Sequence, residues 1–151
     1  MLGYLLLAFL QTAAAQSAPA GPPVWVFKEA TDAATGKKSA TAFIRAADGS
    51  GRLIVRCDTV AMPIVSVQFI PTPRLAAADP RQVTITFDEG KAEIAGWQFP
   101  GAGAYTGEAY DVFLLASQIA GAKTIRFNTT NDAGAPIQSS FQGPGNDTMF
   151  R

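Results

Sequence analysis

The sequence predicts a mainly β protein, either an antiparallel β-sandwich or a tightly curled sheet, with one α-helix. In "QVTITFD" the apolar residues Val83, Ile85 and Phe87 alternate with threonines, which is the period of a half-buried strand. Clusters such as "DGSG" separate several runs of this kind. The period changes clearly at one place, in "YDVFLLASQIAG", where we expect the helix at about residues 111–121.

The amino-terminal segment has the pattern of a secretory signal peptide. Residues 1–15 run from an apolar stretch into Ala13, Ala14 and Ala15, which supply a small-residue cleavage site. The alternative is a buried N-terminal strand or helix. The apolar run is shorter than the roughly 20 residues that span a bilayer. We therefore expect a periplasmic or secreted protein with no stable membrane anchor after the leader is removed, a linker rich in Pro and Ala over residues 16–23, and one β-rich domain over 24–151.

The first half of the domain predicts strands in sequence. "VWVFK" is followed by a turn with Asp32 and Gly36, and "SATAFIRA" and "RLIVRCD" flank the hairpin signal "DGSG". "IVSVQFI" and "QVTITFD" continue the alternation. Between them "PTPRLAAADPR" is long enough to cross between sheets, and its prolines argue against a further strand.

The second half contains the helix between strands. "AEIAGWQF" predicts a strand, and the glycines of "PGAGAYTGEAY" predict a break in regular structure. Val112, Leu115 and Ile119 then form a helical stripe, with Asp111 as the N-cap and Gly121 at the C-terminus. "KTIRFNT" and "IQSSFQG" predict the last two strands, which a turn separates.

Charge and residue content restrict the chemistry. Twelve Lys plus Arg balance twelve Asp plus Glu, so the chain lacks the basic surface of a nucleic-acid binder. Histidine is absent, which removes imidazole-based metal sites and the Ser-His-Asp triad, and we expect no metal and no cofactor. Cys57 is the lone cysteine and lies in the apolar row of its strand, so we expect it to fill the core rather than to act as a nucleophile. An exposed thiol that pairs between chains is the alternative.

Catalysis without histidine would rest on carboxylates. Glu93 with Glu108 or Asp111 is one pair that strands and loops could assemble, and this is the basis of a second hypothesis, a small hydrolase. The alternative is that these acids are solvated surface residues. The stretch "GAGAYTG" does not match a dinucleotide fingerprint, because Gly107 falls one residue late and no βαβ pattern surrounds it.

Two sets of residues are candidates for a binding site. Trp97, Phe99, Tyr105 and Tyr110 lie within one short span and could form an aromatic platform for a sugar or peptide. Alternatively, Trp97 and Phe99 pack in the core and the tyrosines flank a loop. Arg56 and Asp88 occupy outward positions of two predicted strands, where they could pair across strands or orient a site under the helix.

Several short motifs together resemble one family. They are Trp25 with Asp32, "LIVRC", "VTITFD", Trp97, the helix near Phe113, "KTIRF", and Phe141 with Gly143. Over residues 24–143 this spacing is similar to the TagO/VasI-like accessory proteins linked to type VI secretion and their exported relatives. Members commonly have an arginine where Thr86 or Phe87 stands, and a helical, cysteine-containing tail where this chain has "GPGNDTMFR". The resemblance implies a small exported β-rich domain with one helix and no catalytic residue to carry over.

The leading hypothesis is an exported, non-enzymatic accessory or binding protein, in which a sheet face or the "WQFPGAGAY" loop contacts an envelope protein or polymer. The carboxylate hydrolase is the second hypothesis. The third is an inhibitor or immunity-like protein, whose sequence would look the same.

Overall fold

The structure is a computed structural model that describes residues 21–59 and 63–146. It confirms the predicted class: 55% of the chain is strand, in one antiparallel sheet that curls without closing into a barrel, with a single helix in the described part. The predicted signal peptide, residues 1–15, and residues 16–20 of the predicted linker lie outside the described residues. The elements in chain order are β1 (Val26–Thr31), β2 (Lys38–Arg45), β3 (Gly51–Thr59), β4 (Pro63–Pro71), β5 (Ala78–Phe87), β6 (Glu93–Gly101), β7 (Gly103–Thr106), α1 (Ala109–Gly121), β8 (Thr124–Thr130) and β9 (Pro136–Gln142).

The strands of the sheet are not in sequence order. Their order is β1-β2-β3-β4-β7-β6-β5-β8-β9, so the chain leaves β4, crosses to β5 and returns through β6 and β7. The hairpin predicted at "DGSG" joins β2 to β3, with Arg45 opposite Arg52. The helix α1 connects β7 to β8 and packs against β4.

Aromatic side chains from both halves of the curled sheet meet in the core. The ring of Phe127 lies 5.2 Å from that of Phe69, 5.7 Å from that of Trp97 and 6.1 Å from that of Phe141, measured between centroids. These four side chains come from different strands, and all are buried. Full burial of a large apolar side chain stabilises a fold by about 1.5–3 kcal/mol, so this cluster stabilises the curled arrangement of the sheet.

Polar contacts join the residue before β1 and the turn between β2 and β3 to the last strand. The indole Nε1 of Trp25 donates to the backbone carbonyl of Gln142 at 2.8 Å. The hydroxyl of Ser50 lies 2.8 Å from the Oγ of Ser139. The two ends of the sheet therefore come together at this side, although the ladder does not close.

The glycine-rich stretch after Trp97 is mostly strand, which corrects the sequence prediction, and the break is confined to a tight reversal in which Gly101 and Ala102 have φ of 110° and 70°. β6 continues to Gly101, and β7 pairs with β4 through Phe69 and Ala104. A Cβ on Gly103 would collide with the backbone carbonyl of Phe69. Glycine is required here because the two backbones approach closely, and not because the chain turns away from the sheet.

Two further boundaries differ from the prediction. β5 begins at Ala78, inside the stretch predicted as a connection, and a register irregularity between Ala78 and Arg81 accommodates its proline. The helix begins at Ala109, with Glu108 in the N-cap position and no side-chain cap bond, so Asp111 lies in the first turn and is not the cap. The predicted stripe of Val112, Leu115 and Ile119 is buried, as expected.

Candidate binding groove between the helix and the sheet

The aromatic residues predicted as a platform do not share one surface. Trp97 and Phe99 are each 2% exposed and point into the core. Tyr105 lies in register with Gln98 and Gln68, on the opposite face of the sheet from these two rings. Tyr110 is 80% exposed in the first turn of α1. The structure therefore favours the packing alternative for Trp97 and Phe99 and separates them from both tyrosines.

Arg56 and Asp88 are also apart, because each has another partner. The Nε of Arg56 donates to both carboxylate oxygens of Asp58, at 3.0 and 2.9 Å, two residues along the same strand. These hydrogen bonds raise the pKa of the Arg56 guanidinium above its ordinary value. The predicted pairing of Arg56 with Asp88 is thus replaced by an ion pair within β3.

Asp88 holds the loop that follows the helix. It lies in the turn after β5 with a φ of 52°, a conformation that Asp tolerates better than most residues. Its Oδ1 accepts hydrogen bonds from the backbone N–H groups of Lys123 and Thr124, both at 2.8 Å. Arg126 donates to the backbone carbonyl of Asp88 at 2.9 Å. The contacts of Asp88 are those of a structural residue that fixes the start of β8.

The acids proposed for a hydrolase lie on different elements, because Glu93 begins β6 whereas Glu108 and Asp111 lie at the N-terminal end of α1. Glu93 accepts a hydrogen bond from the Nε2 of Gln118 at 2.8 Å. Gln118 follows Asp111 by about two helical turns, or roughly 10 Å along the axis. Where carboxyl shifts are resolved in the described residues, they are downward: the pKa of Asp32 is lowered by hydrogen bonds from Thr35, and that of Asp48 by Ser50. The shifts of Asp32 and Asp48 are those of turn residues that accept local hydrogen bonds.

An apolar groove opens where the helix leaves the first strands uncovered. Its volume is about 390 Å³, within the usual range of ligand pockets. The floor is the inner face of β2 and β3, formed by Ala40, Ala42, Val55 and Cys57. Because α1 packs against β4, the same face is buried at Ala42 but only half-buried at Ala40 and Cys57. Small floor side chains and an incomplete cover together leave the space.

Two exposed phenylalanines border this floor, Phe27 on β1 and Phe113 on α1. Phe27 is 46% exposed and Phe113 is 66% exposed. Leu114 and Tyr110 beside Phe113 are exposed as well, which continues the apolar surface along the helix. A contiguous exposed apolar surface of this kind is typical of an interaction site. The sequence pattern does not predict this surface, although Phe113 flanks the buried stripe of the helix in sequence.

Cys57 lies in the apolar row of its strand, as predicted, but it does not fill the core. The thiol lines the groove and is partly exposed, because the row passes beyond the cover of the helix at this point. Its cross-strand neighbours on the groove side are Ala40 and Val65. The one cysteine of the chain therefore marks the groove floor.

Glu29 supplies the negative charge of the groove wall, beside Phe27 on β1. Across residues 21–59 and 63–146 it has no hydrogen-bond or ion-pair partner. Arg56 lies opposite Thr41 in the ladder, so strand alternation directs its side chain to the outer face of the sheet, and the carboxylate of Asp58 lies 2.8 Å from its guanidinium and neutralises it. The groove is therefore lined mainly by apolar side chains and has one unneutralised carboxylate.

No protein-family model, curated protein or solved structure matches the chain. The resemblance to the TagO/VasI-like proteins stays a prediction. In the described part of the chain, no three or more acidic or cysteine side chains cluster in a way that could hold a metal ion. Nor does any helix there have the length and hydropathy needed to cross a membrane.

Proposed function

We propose that the chain is an exported, non-enzymatic binding protein whose groove takes up an apolar segment of a partner protein. The observation that carries the proposal is the pair of exposed rings, Phe27 and Phe113, on either side of a floor of small apolar residues. An occupant that covered the exposed part of both rings would gain about 2–3 kcal/mol from them, at the usual 1.5–3 kcal/mol for a whole phenylalanine. Such a gain from two residues is on the scale of interface hot spots.

Two features of the sequence support an exported protein and a non-enzymatic role. Residues 1–15 have the pattern of an exported leader, which makes a partner in the cell envelope the natural expectation. The chain contains no histidine, and the one thiol of the groove floor has apolar cross-strand neighbours, so the groove lacks the usual base for nucleophilic catalysis. The resemblance to secretion-linked accessory proteins agrees with a binding role. An inhibitor or immunity-like protein would be one form of it.

Cys57 offers a direct test, because it is the sole cysteine and lines the groove. The protein is labelled there with a benzophenone maleimide, mixed with an envelope extract of the producing cell and illuminated. The matched control is the double variant Cys57→Ser, Thr41→Cys, which moves the label to the outer face of the same sheet. Each cross-linked product is digested and its attachment site is mapped by mass spectrometry.

We expect one protein to be cross-linked from Cys57 and not from the control position, through a segment that is mainly apolar. Identical products from both positions would contradict the groove as the binding site. Products on a polysaccharide would identify an envelope polymer as the occupant and would contradict a protein partner. Absence of any specific product would refute the proposal in this envelope.

A further inference from the structure

The first strand of the sheet has an outer edge that no strand among residues 21–59 and 63–146 covers. β1 is the terminal strand of the sheet and pairs on one side with β2. The N–H of Asp32 donates to the carbonyl of Lys37 at 2.8 Å, which fixes the alternation of the ladder. Because hydrogen-bonded pairs alternate in an antiparallel ladder, Ala30, Lys28 and Val26 direct their backbone groups towards β2. The backbone N–H and C=O groups of Phe27, Glu29 and Thr31 therefore point away from the sheet.

The same alternation decides which side chains face the groove. In a strand, residues that share an edge direction also share a face. Phe27 and Glu29, whose backbone groups lie on the free edge, are the β1 residues that line the groove. An additional strand on this edge would consequently place every second side chain next to Phe27 and Glu29, at the open side of the groove.

From this coincidence, and resting on the function proposed above, we propose that the partner segment binds in an extended conformation as an added strand along β1. Main-chain hydrogen bonds to Phe27, Glu29 and Thr31 hold it, and its alternate side chains enter the groove. This is the general mode in which edge strands bind peptides, where the backbone supplies affinity and side-chain pockets supply selectivity. The other terminal strand is less open, since Trp25 donates to the backbone of Gln142 there.

The charge of the groove defines the chemistry of the segment. Glu29 is an unneutralised carboxylate beside the apolar ring of Phe27, whereas Arg56 is neutralised by Asp58. Opposite charges on adjacent strands attract and like charges repel. The matching segment therefore has an apolar side chain beside Phe27 and a lysine or arginine two positions away, beside Glu29.

A second copy of this chain fits the edge less well. Two β1 strands paired antiparallel about Glu29 would set Glu29 opposite Glu29, and the register two residues away, which keeps the same backbone groups on the shared edge, would set Lys28 opposite Lys28. Both registers bring like charges directly together, which is a common way for edge strands to avoid self-association. A heterologous basic and apolar segment meets neither repulsion.

The test uses a blocked synthetic peptide, acetyl-TLTRTVT-amide, whose leucine, arginine and valine share one face. Isotope-labelled protein is followed by NMR amide exchange, and peptide affinity is measured by titration. We expect the peptide to slow exchange at the N–H groups of Phe27, Glu29 and Thr31, which point to the free edge. A peptide with glutamate in place of arginine should bind about two- to fivefold more weakly to the native chain, and Glu29→Gln should abolish that difference.

Thr31→Pro separates the edge from the groove. Proline removes one outward N–H without breaking a bond to β2, and the side chains of Phe27 and Glu29 remain. We expect about a fivefold loss of peptide affinity, with no such loss in the matched control Thr31→Val, which keeps the N–H group. Circular dichroism of both variants confirms that the sheet is intact.

Binding of the neutral dye Nile red tests the groove independently of the β1 edge. It is compared between the native chain and the variant Ala40→Phe, whose larger side chain fills the groove. Dye binding that this variant blocks, without peptide protection at β1, would refute the added strand and leave the proposed function standing. Failure of the dye and the peptide together would refute both. A shift to dimers in light scattering, caused by the native β1 and removed by Thr31→Pro, would assign the edge to a second copy instead.

Discussion

Replacement of Trp97 by alanine tests whether this residue holds the fold together or serves recognition. The indole is 2% exposed and its ring lies 5.7 Å from that of Phe127, at the point where β6 and β8 pack inside the curled sheet. Removal of the side chain leaves a large cavity among aromatic rings that come from separate strands. The structure therefore predicts a loss of stability rather than a selective loss of binding.

The size of the loss follows from burial. Truncation of a buried Phe or Trp to alanine typically costs about 3–5 kcal/mol, which is a large share of the roughly 5–15 kcal/mol that stabilises a domain. The matched variant Phe113→Ala removes a ring that is 66% exposed. Only about a third of that side chain leaves water on folding, so the expected cost is about 0.5–1 kcal/mol.

Urea unfolding followed by far-ultraviolet circular dichroism measures both variants without dependence on tryptophan fluorescence. With a slope of about 2 kcal/mol per molar urea, Trp97→Ala should lower the midpoint by roughly 2 M, and Phe113→Ala by less than about 0.5 M. In the groove assays the order should reverse, with Phe113→Ala folded but impaired in binding. Equal midpoints for Trp97→Ala and the native chain would refute the core assignment of Trp97.

Three further changes test other parts of the structure by urea or thermal unfolding. Gly103→Ala should cost about 1–3 kcal/mol because the added Cβ meets the backbone of β4. In the control Gly96→Ala the added Cβ meets nothing within 4 Å, so stability should change by less than about 0.5 kcal/mol. Equal effects of the two substitutions would contradict the close approach. Asp88→Ala removes the acceptor of two backbone hydrogen bonds at the start of β8 and should cost about 0.5–2 kcal/mol, as loss of a helix cap does, with Asp88→Asn closer to the native value. The pKa of Asp132 is lowered by hydrogen bonds from the Ala76 N–H and from Arg81. The stabilising effect of Asp132 is therefore present above the ordinary carboxyl pKa and is lost as pH falls through the pKa of the folded state. Asp132→Asn should flatten the fall in Tm below about pH 4, and an unchanged slope would refute this.

Local patterns predicted much of the fold because strand alternation and helical stripes are properties of adjacent residues. Alternation with threonines marks Val83 and Ile85 as buried, and both are buried in the structure. The helical stripe does the same for Val112, Leu115 and Ile119. The local pattern does not predict β7, because this strand depends on residues distant in sequence. Glycine signals a turn in most sequences, and only the neighbouring backbone of β4 makes Gly103 a strand residue.

The candidate site was the least predictable part. Trp97 and Phe99 looked like Tyr105 and Tyr110 in sequence, since all are aromatic residues within one span. Their separation depends on which face of the sheet is inward, and that depends on the partners of each strand. Arg56 forms its ion pair with Asp58, two residues along the same strand. Strand periodicity places these two side chains on one face.

The sequence by itself determined that the chain is mainly β with one helix and that no imidazole chemistry is available. It also determined which segments alternate apolar with polar residues as strands do, and where the hairpin between β2 and β3 turns. The tertiary structure alone decided the strand order, the burial of Trp97 and the uncovered face beside α1 that forms the groove. The physical reason is one of range. Periodicity and turn chemistry act between residues close in sequence, whereas a groove exists because a helix that follows β7 covers β4 and leaves distant β1, β2 and β3 partly exposed.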